Sequence, residues 1–397
     1  MALSLTLTNF LGFLMRLYFK YGFSTFIVKT INKILNNMQT PKIINAFFLF
    51  VLLANMLTSC DVERQTPKYI PDIKGIERKV ELIRFEQEFF NLDTTQLATS
   101  LNALKEKHLG FTMGFLSKFI GVRDAESELP TVYGYLNYAD ARYTYDSIQQ
   151  VFSDLSTIQQ QLNELATYYS YYFPDAFPIE KAYTFLSEYH GDRLAVLEQG
   201  FIGLPLDMAL GEGYSPYNHL KIPQYDQRTC NKEHLVAKAS NAVAQTLAMQ
   251  YLRAPGAHLI DKMLYEGKIF FLTDILLPNV ADSLKFGFSD YQMQYCTKGE
   301  LMLYEHLSKE ELIYSNDHGK TSKYVTKGPF NPQLDLPGNS GSWLGYRMVC
   351  SYAALRRKEL KSANANLSTQ EIDQKVLQMV LEENDPQQFL QNYKPPK

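Results

Sequence analysis

The sequence predicts a mostly helical body carrying a small β-sheet, an α+β fold. Three observations point there. Apolar residues recur at three- and four-residue spacing over several long segments, the period of an amphipathic helix. Between residues 182 and 210 that period gives way to short apolar pieces broken by Gly191, Gly203 and Pro205, the pattern of brief strands. No internal repeat or low-complexity run competes with this reading.

Residues 79–90 suit a strand or the entry to a short helix. Leu97, Leu101, Leu104 and Leu109 follow Asp93, a favourable N-cap, and predict a helix over residues 94–109. Ile148, Val151, Phe152, Leu155, Ile158, Leu162, Leu165 and Tyr169 form one stripe and predict a single helix over 145–169, closed by Pro174 and Pro178. Strands are expected at 182–187, 195–202 and 206–210. Residues 211–223, with two glycines and two prolines, read as a loop.

Further helices are expected over 231–252, 257–277 and 284–307. Residues 316–342 are rich in Gly, Pro and Asn and predict irregular chain. A helix over 343–360 follows, with Leu344, Met348, Tyr352 and Leu355 on one face. Ser368 and Glu371 make a capping box, with Leu367 and Ile372 placed as a hydrophobic staple, so a last helix starts there. It stops by Asp385-Pro386.

The front of the chain has a different character. An apolar run over residues 43–57 ends in Leu57-Thr58-Ser59-Cys60. That tetrapeptide is a lipobox, after whose cleavage Cys60 becomes the first mature residue with a diacylglycerol on its thiol. The run is short of the roughly twenty residues a spanning helix needs and fits a signal h-region. The competing reading is a short membrane helix followed by a chance cysteine. Met38 to Lys42 supplies a plausible charged start, which leaves residues 1–37 as an upstream artefact or an extra membrane segment. Residues 60–75, with Pro67 and Pro71, read as a lipidated tether, and 76–397 as a single mostly helical envelope domain.

Removing residues 1–59 leaves 338 of 397, ample for a large core. The net charge of −3 offers no bulk field for nucleic acid, which is excluded as a partner. Beyond Cys60 only Cys230, Cys296 and Cys350 remain, so at most one internal disulfide is possible. The lone Trp343 suits the core at a helix start, or a recognition surface.

The search for chemistry is mostly negative. None of the seven histidines pairs with another at i, i+4, and no C-x-x-C exists, so neither zinc spacing is present. Gly338-Asn-Ser340-Gly-Ser342 approaches a nucleophile elbow but ends in Ser where the pattern needs Gly. Gly211-Glu-Gly213 lacks the third glycine of a dinucleotide loop.

Several stretches in order behind the lipobox carry a resemblance. They are Arg84-Phe-Glu-Gln-Glu-Phe-Phe90, Leu210-Gly-Glu-Gly-Tyr214 through Ile222-Pro-Gln-Tyr225, Lys327-Gly-Pro-Phe330, and Pro337 through Trp343 to Tyr346. Together they resemble the gliding-motility lipoprotein GldB family. That family in turn resembles zinc peptidases of the gluzincin type that have lost their site, which implies a degenerate gluzincin-like helical domain.

Laid on residues 231–252, the H-E-x-x-H frame falls on Gln245, Thr246 and Met249, and the downstream Glu-Gly pair on Glu266-Gly267. A Gln amide is a poor zinc donor, a Met thioether suits softer metals, and Thr246 cannot act as general base. The resemblance implies vestigial positions that bind no metal. Glu266 read by itself is a helix-surface carboxylate or a partner for a nearby Arg.

The expected protein is a membrane-tethered, non-catalytic lipoprotein without cofactor. It would be held by acylated Cys60 on the cell membrane or outer membrane, facing the periplasm, with envelope partners of the motility or secretion apparatus. The alternative is a membrane-anchored metal-dependent hydrolase whose ligands the sequence does not bring together.

Overall fold

A short parallel sheet pairs residues 81–83 with residues 181–185 and these with residues 201–205, and helices enclose it. The computed structural model describes residues 68–190, 200–328, 337–364 and 366–396. The chain divides into two compact units, Met1–Lys68 and Tyr69–Lys397, and the elements all belong to the second. The h-region, Cys60 and the tether up to Pro67 lie outside the described residues.

Strand β1 (Glu81–Ile83) runs into helix α1 (Phe85–Phe90), so residues 79–90 hold both a strand and a helix. Asp93 accepts the Thr95 N–H at 2.9 Å and starts a 3-10 turn that leads into α2 (Leu97–Lys107). Then come α3 (Leu109–Lys118), α4 (Ala125–Asn137), α5 (Ala139–Val151) and α6 (Ser156–Tyr172), followed by β2 (Lys181–Phe185) and β3 (Phe201–Pro205). The order is β1-β2-β3, with Ile83 beside Tyr183 and Phe185 beside Pro205. Central β2 is buried from Ala182 to Phe185, as a strand covered on both faces requires. Pro205 has no N–H to donate and closes an edge strand, where a ladder bond is least missed.

The second half contains α7 (Ser215–His219), α8 (Gln224–Gln227), α9 (Leu235–Tyr251), α10 (Leu259–Leu276), α11 (Asp282–Phe286), α12 (Asp290–Lys298) and α13 (Glu300–Lys309). After α14 (His318–Thr321) follow α15 (Ser340–Ala363), α16 (Thr369–Glu382) and α17 (Pro386–Asn392). Helix α10 is buried on nearly every side and packs against α6, α9 and α15. Helix α16 opens on its capping box: the Ser368 N–H donates to Glu371 at 2.8 Å, and the Glu371 N–H to the Ser368 hydroxyl at 3.2 Å. Trp343 is buried in the core.

Several expectations need correction. The loop over 211–223 holds the short helix α7, and the irregular chain over 316–342 holds α14. The stripe over 145–169 is two helices, because the chain turns between Phe152 and Leu155. There Asp154 accepts both the Ser156 N–H and its hydroxyl, a local bond that competes with the helix ladder. The segment 284–307 lies across three helices. Gly287, at φ 69°, ends α11 in the left-handed conformation, and Ser289 caps α12. In place of the strand expected over 206–210 there is a 3-10 turn at Leu206–Met208, because Asp207 turns inward to bind backbone. Gly203 and Pro205, expected as breaks, lie inside β3. Of the strand expected over 195–202, residues 195–199 lie outside the described residues.

Candidate functional site

Helix α9 carries a polar stripe on an otherwise apolar cylinder. Val236, Ala239, Val243 and Leu247 are buried, while Lys238, Asn241 and Gln245 recur at three and four residues and line a recess of about 550 Å³. Phe270 of α10, Phe286 of α11 and the following Phe288 supply apolar wall. Asp226 and Arg228 enter from the α8 end, and Lys327, Gly338 and Asn339 from the approach to α15.

The electrostatics follow from burial. Lys238 makes one polar contact, to the Cys230 sulfur at 3.8 Å, and has no carboxylate at ion-pair distance among the described residues. Burial pulls its pKa below the ordinary lysine value. Nearby Lys327 adds to that shift, while Cys230 and Asp226 oppose it. Burial likewise raises the Cys230 thiol. His234 is pushed down to about 4, mainly by burial and then by Lys238, and its Nδ1 lies 2.7 Å from the Asn231 side-chain Oδ1. Lys285 is different: burial opposes its charge, but Asp274 and Asp282 hold it above its usual value.

One edge of the recess is strained. Glu188 and Tyr189 have φ of 54° and 62°, a region bulky residues rarely occupy. Asp207, almost wholly buried, accepts the Ser187 N–H at 3.0 Å and the Tyr189 N–H at 2.7 Å and so holds this turn. Burial pushes the Asp207 carboxyl up to about 6, against those same hydrogen bonds.

Of the four frame positions, Gln245 alone is among the described residues lining the recess. Its amide donates to Asn241 at 2.8 Å. The Thr246 hydroxyl donates to the Ala242 carbonyl at 3.0 Å, and Met249 is 75% exposed. Burial raises the Glu266 carboxyl, with Lys327 opposing. This donor set does not fit zinc. It offers one carboxylate with an amide and a thioether, and among the described residues no group of three His, Cys, Asp or Glu could hold a metal. Ser340 and Ser342 are buried at the start of α15, which leaves neither on the recess wall. Among the described residues, Cys230, Cys296 and Cys350 form no disulfide.

Sequence reasoning missed Lys238 and Asp207, and noted Lys327 only within a family-like stretch, with no site role. The stripe Lys238-Asn241-Gln245 was a usable signal, because polar residues at helical spacing on an apolar helix mark a face that meets water or a ligand. No spacing signals Lys327 or Asp207, which come from distant segments.

Among the described residues, no helix is long and apolar enough to cross a membrane. No curated protein and no solved structure matches this chain. Residues 66–395 match the model of the gliding motility protein GldB family, whose designation marks it as a lipoprotein family. A match over most of the chain assigns it a role in gliding motility with envelope-associated partners, and the chain belongs to the GldB family.

Proposed function

We propose that this chain is a non-catalytic lipoprotein, acylated at Cys60 and held on the periplasmic face of the cell membrane or outer membrane. There it supports gliding motility, or the secretion machinery associated with it, through contacts with other envelope proteins. The observation that carries this reading is family membership together with the lipobox: the matched region opens at residue 66, a few residues behind Cys60.

Acyl chains each contribute about 0.8 kcal/mol per buried methylene, so a single chain holds weakly and two or three hold durably. Anchoring also confines the protein near its partners and raises their effective concentration. The replacements at Gln245, Thr246 and Met249 support the non-catalytic part, since none offers the base or the imidazoles that a peptidase of this type needs. The gluzincin-like ancestry remains part of the proposal.

Two measurements test it. Mass spectrometry of the N-terminal peptide from native membranes is expected to find an acylated Cys60, and an unmodified thiol would refute the anchor. Metal analysis of the purified, dialysed protein is expected to find no stoichiometric zinc. Tightly held zinc would favour the anchored hydrolase instead.

A further inference from the structure

We propose that the recess between α9, α11 and the start of α15 binds a small organic anion. Lys238 and Lys327 would hold its carboxylate or phosphate head, and Phe270 and Phe286 would face its apolar body. This site stands independently of the anchor and of the non-catalytic reading.

Charge is the first argument. The whole chain is net negative at −3, yet the one carboxylate on the recess wall among the described residues is Asp226. Against it stand Arg228, Lys238 and Lys327, none with a carboxylate at ion-pair distance among the described residues. Lys238 is the telling member. Among the described residues, this largely buried ammonium has one polar partner, a thiol 3.8 Å away, and Asp226 acts on it only from beyond ion-pair distance, so it lacks the close counter-charge that buried cations ordinarily have. Lys285, on the same wall, has two aspartates. An anion bound beside Lys238 would supply the missing partner.

Asn339 is the second argument. It lines the recess at 6% exposure, and its Oδ1 has no hydrogen-bond partner among the described residues. It stands at φ 65° as the N-cap of α15, a helix of 24 residues, and does not cap it with its side chain. Only the NH2 end of this amide could donate to an anion in the recess. Rotating the amide half a turn presents either a donor or an acceptor. The first N–H groups of a long helix carry partial positive charge, which adds to the field of the two lysines.

Size and surface complete the case. About 550 Å³ falls in the range of small-molecule sites, and the phenyl rings set an apolar wall beside the charged one. That pairing selects an amphipathic anion over a bare ion.

The test is calorimetric titration of the full-length chain in non-ionic detergent with phenyl phosphate, benzoate, inorganic phosphate and benzyl alcohol. Saturable one-site binding of phenyl phosphate or benzoate is expected, and their ratio identifies the preferred head group. Inorganic phosphate should bind at least tenfold more weakly than phenyl phosphate, and benzyl alcohol should show no saturable heat. K238M and K327M should each weaken the preferred anion at least tenfold. Lys327 is exposed, so K327M removes its charge with little disturbance of packing. Equal binding of benzyl alcohol, no saturable binding of either aromatic anion, or unchanged affinity in K327M would overturn the proposal.

Discussion

Gly267 of α10 and Gly345 of α15 meet backbone against backbone where the two helices cross. A Cβ on Gly345 would fall far inside contact distance of the Met263 carbonyl, and one on Gly267 would run into the peptide between Gly345 and Tyr346. Gly267 therefore has a packing role of its own, whatever the ancestry of the Glu266-Gly267 pair. The crossing also fixes the recess, because Phe270 lies one turn along α10 and Asn339 begins α15.

Ala at either glycine should be costly, since nothing at the crossing can yield except backbone. We expect Gly345→Ala to destabilise the fold by about 1–3 kcal/mol or more, the usual range for overpacking. Chemical denaturation measures this. A midpoint equal to that of the natural chain would mean that the helices are not so close.

Asp373 gathers three donors from across the body. The Tyr69 and Tyr171 hydroxyls and the Arg357 Nε each donate to its carboxylate at 2.8 Å. Asp373→Ala strands a largely buried guanidinium, and removing one partner of such a pair costs about 3–5 kcal/mol. The expected readout is a large drop in unfolding midpoint. A loss below about 1 kcal/mol, the surface-pair range, would contradict this role.

Asp207 should impose a pH dependence of distinctive sign. Its folded pKa of about 6 lies above the ordinary aspartate value, so the folded state binds the proton more tightly. Its contribution is therefore most favourable below about pH 4 and declines as pH rises to 6. At neutral pH the offset corresponds to about 3 kcal/mol of destabilisation. His234, with its lowered pKa, contributes the opposite slope over the same range, so the test must isolate Asp207. The melting temperature of the natural chain minus that of Asp207→Asn should be greater at pH 4.5 than at pH 7. A constant difference would count against it.

Thr246 and Met249 should tolerate change. The Thr246 hydroxyl returns to its own helix and Met249 is mostly exposed, so Ala at either position should shift stability by less than about 0.5 kcal/mol. Colony spreading should persist. Lost spreading from a folded, normally abundant variant would contradict the non-catalytic reading.

Legibility followed locality. The start of α16 could be read because its signals, Ser368, Glu371 and Ile372, lie within one turn. Helix α15 was legible as a stripe, although it begins at Ser340 and not at Trp343. The break at Asp154 was hidden because α5 and α6 turn their apolar faces to the same core, which preserves the period across the turn. The three helices over 284–307 were merged for the same reason. Helices α3 and α4 carried no expectation at all. In the recess, the side chains on α9 had helical spacing to announce them, whereas Lys327, Asn339 and Asp207 acquire their meaning only when distant segments meet.

The most direct test of the central claim is Cys60→Ala in cells, scored by membrane fractionation and by colony spreading. Cys60→Ala should give a folded protein that leaves the membrane fraction and no longer supports gliding. A Cys60→Ala protein that is soluble and restores full spreading would contradict it.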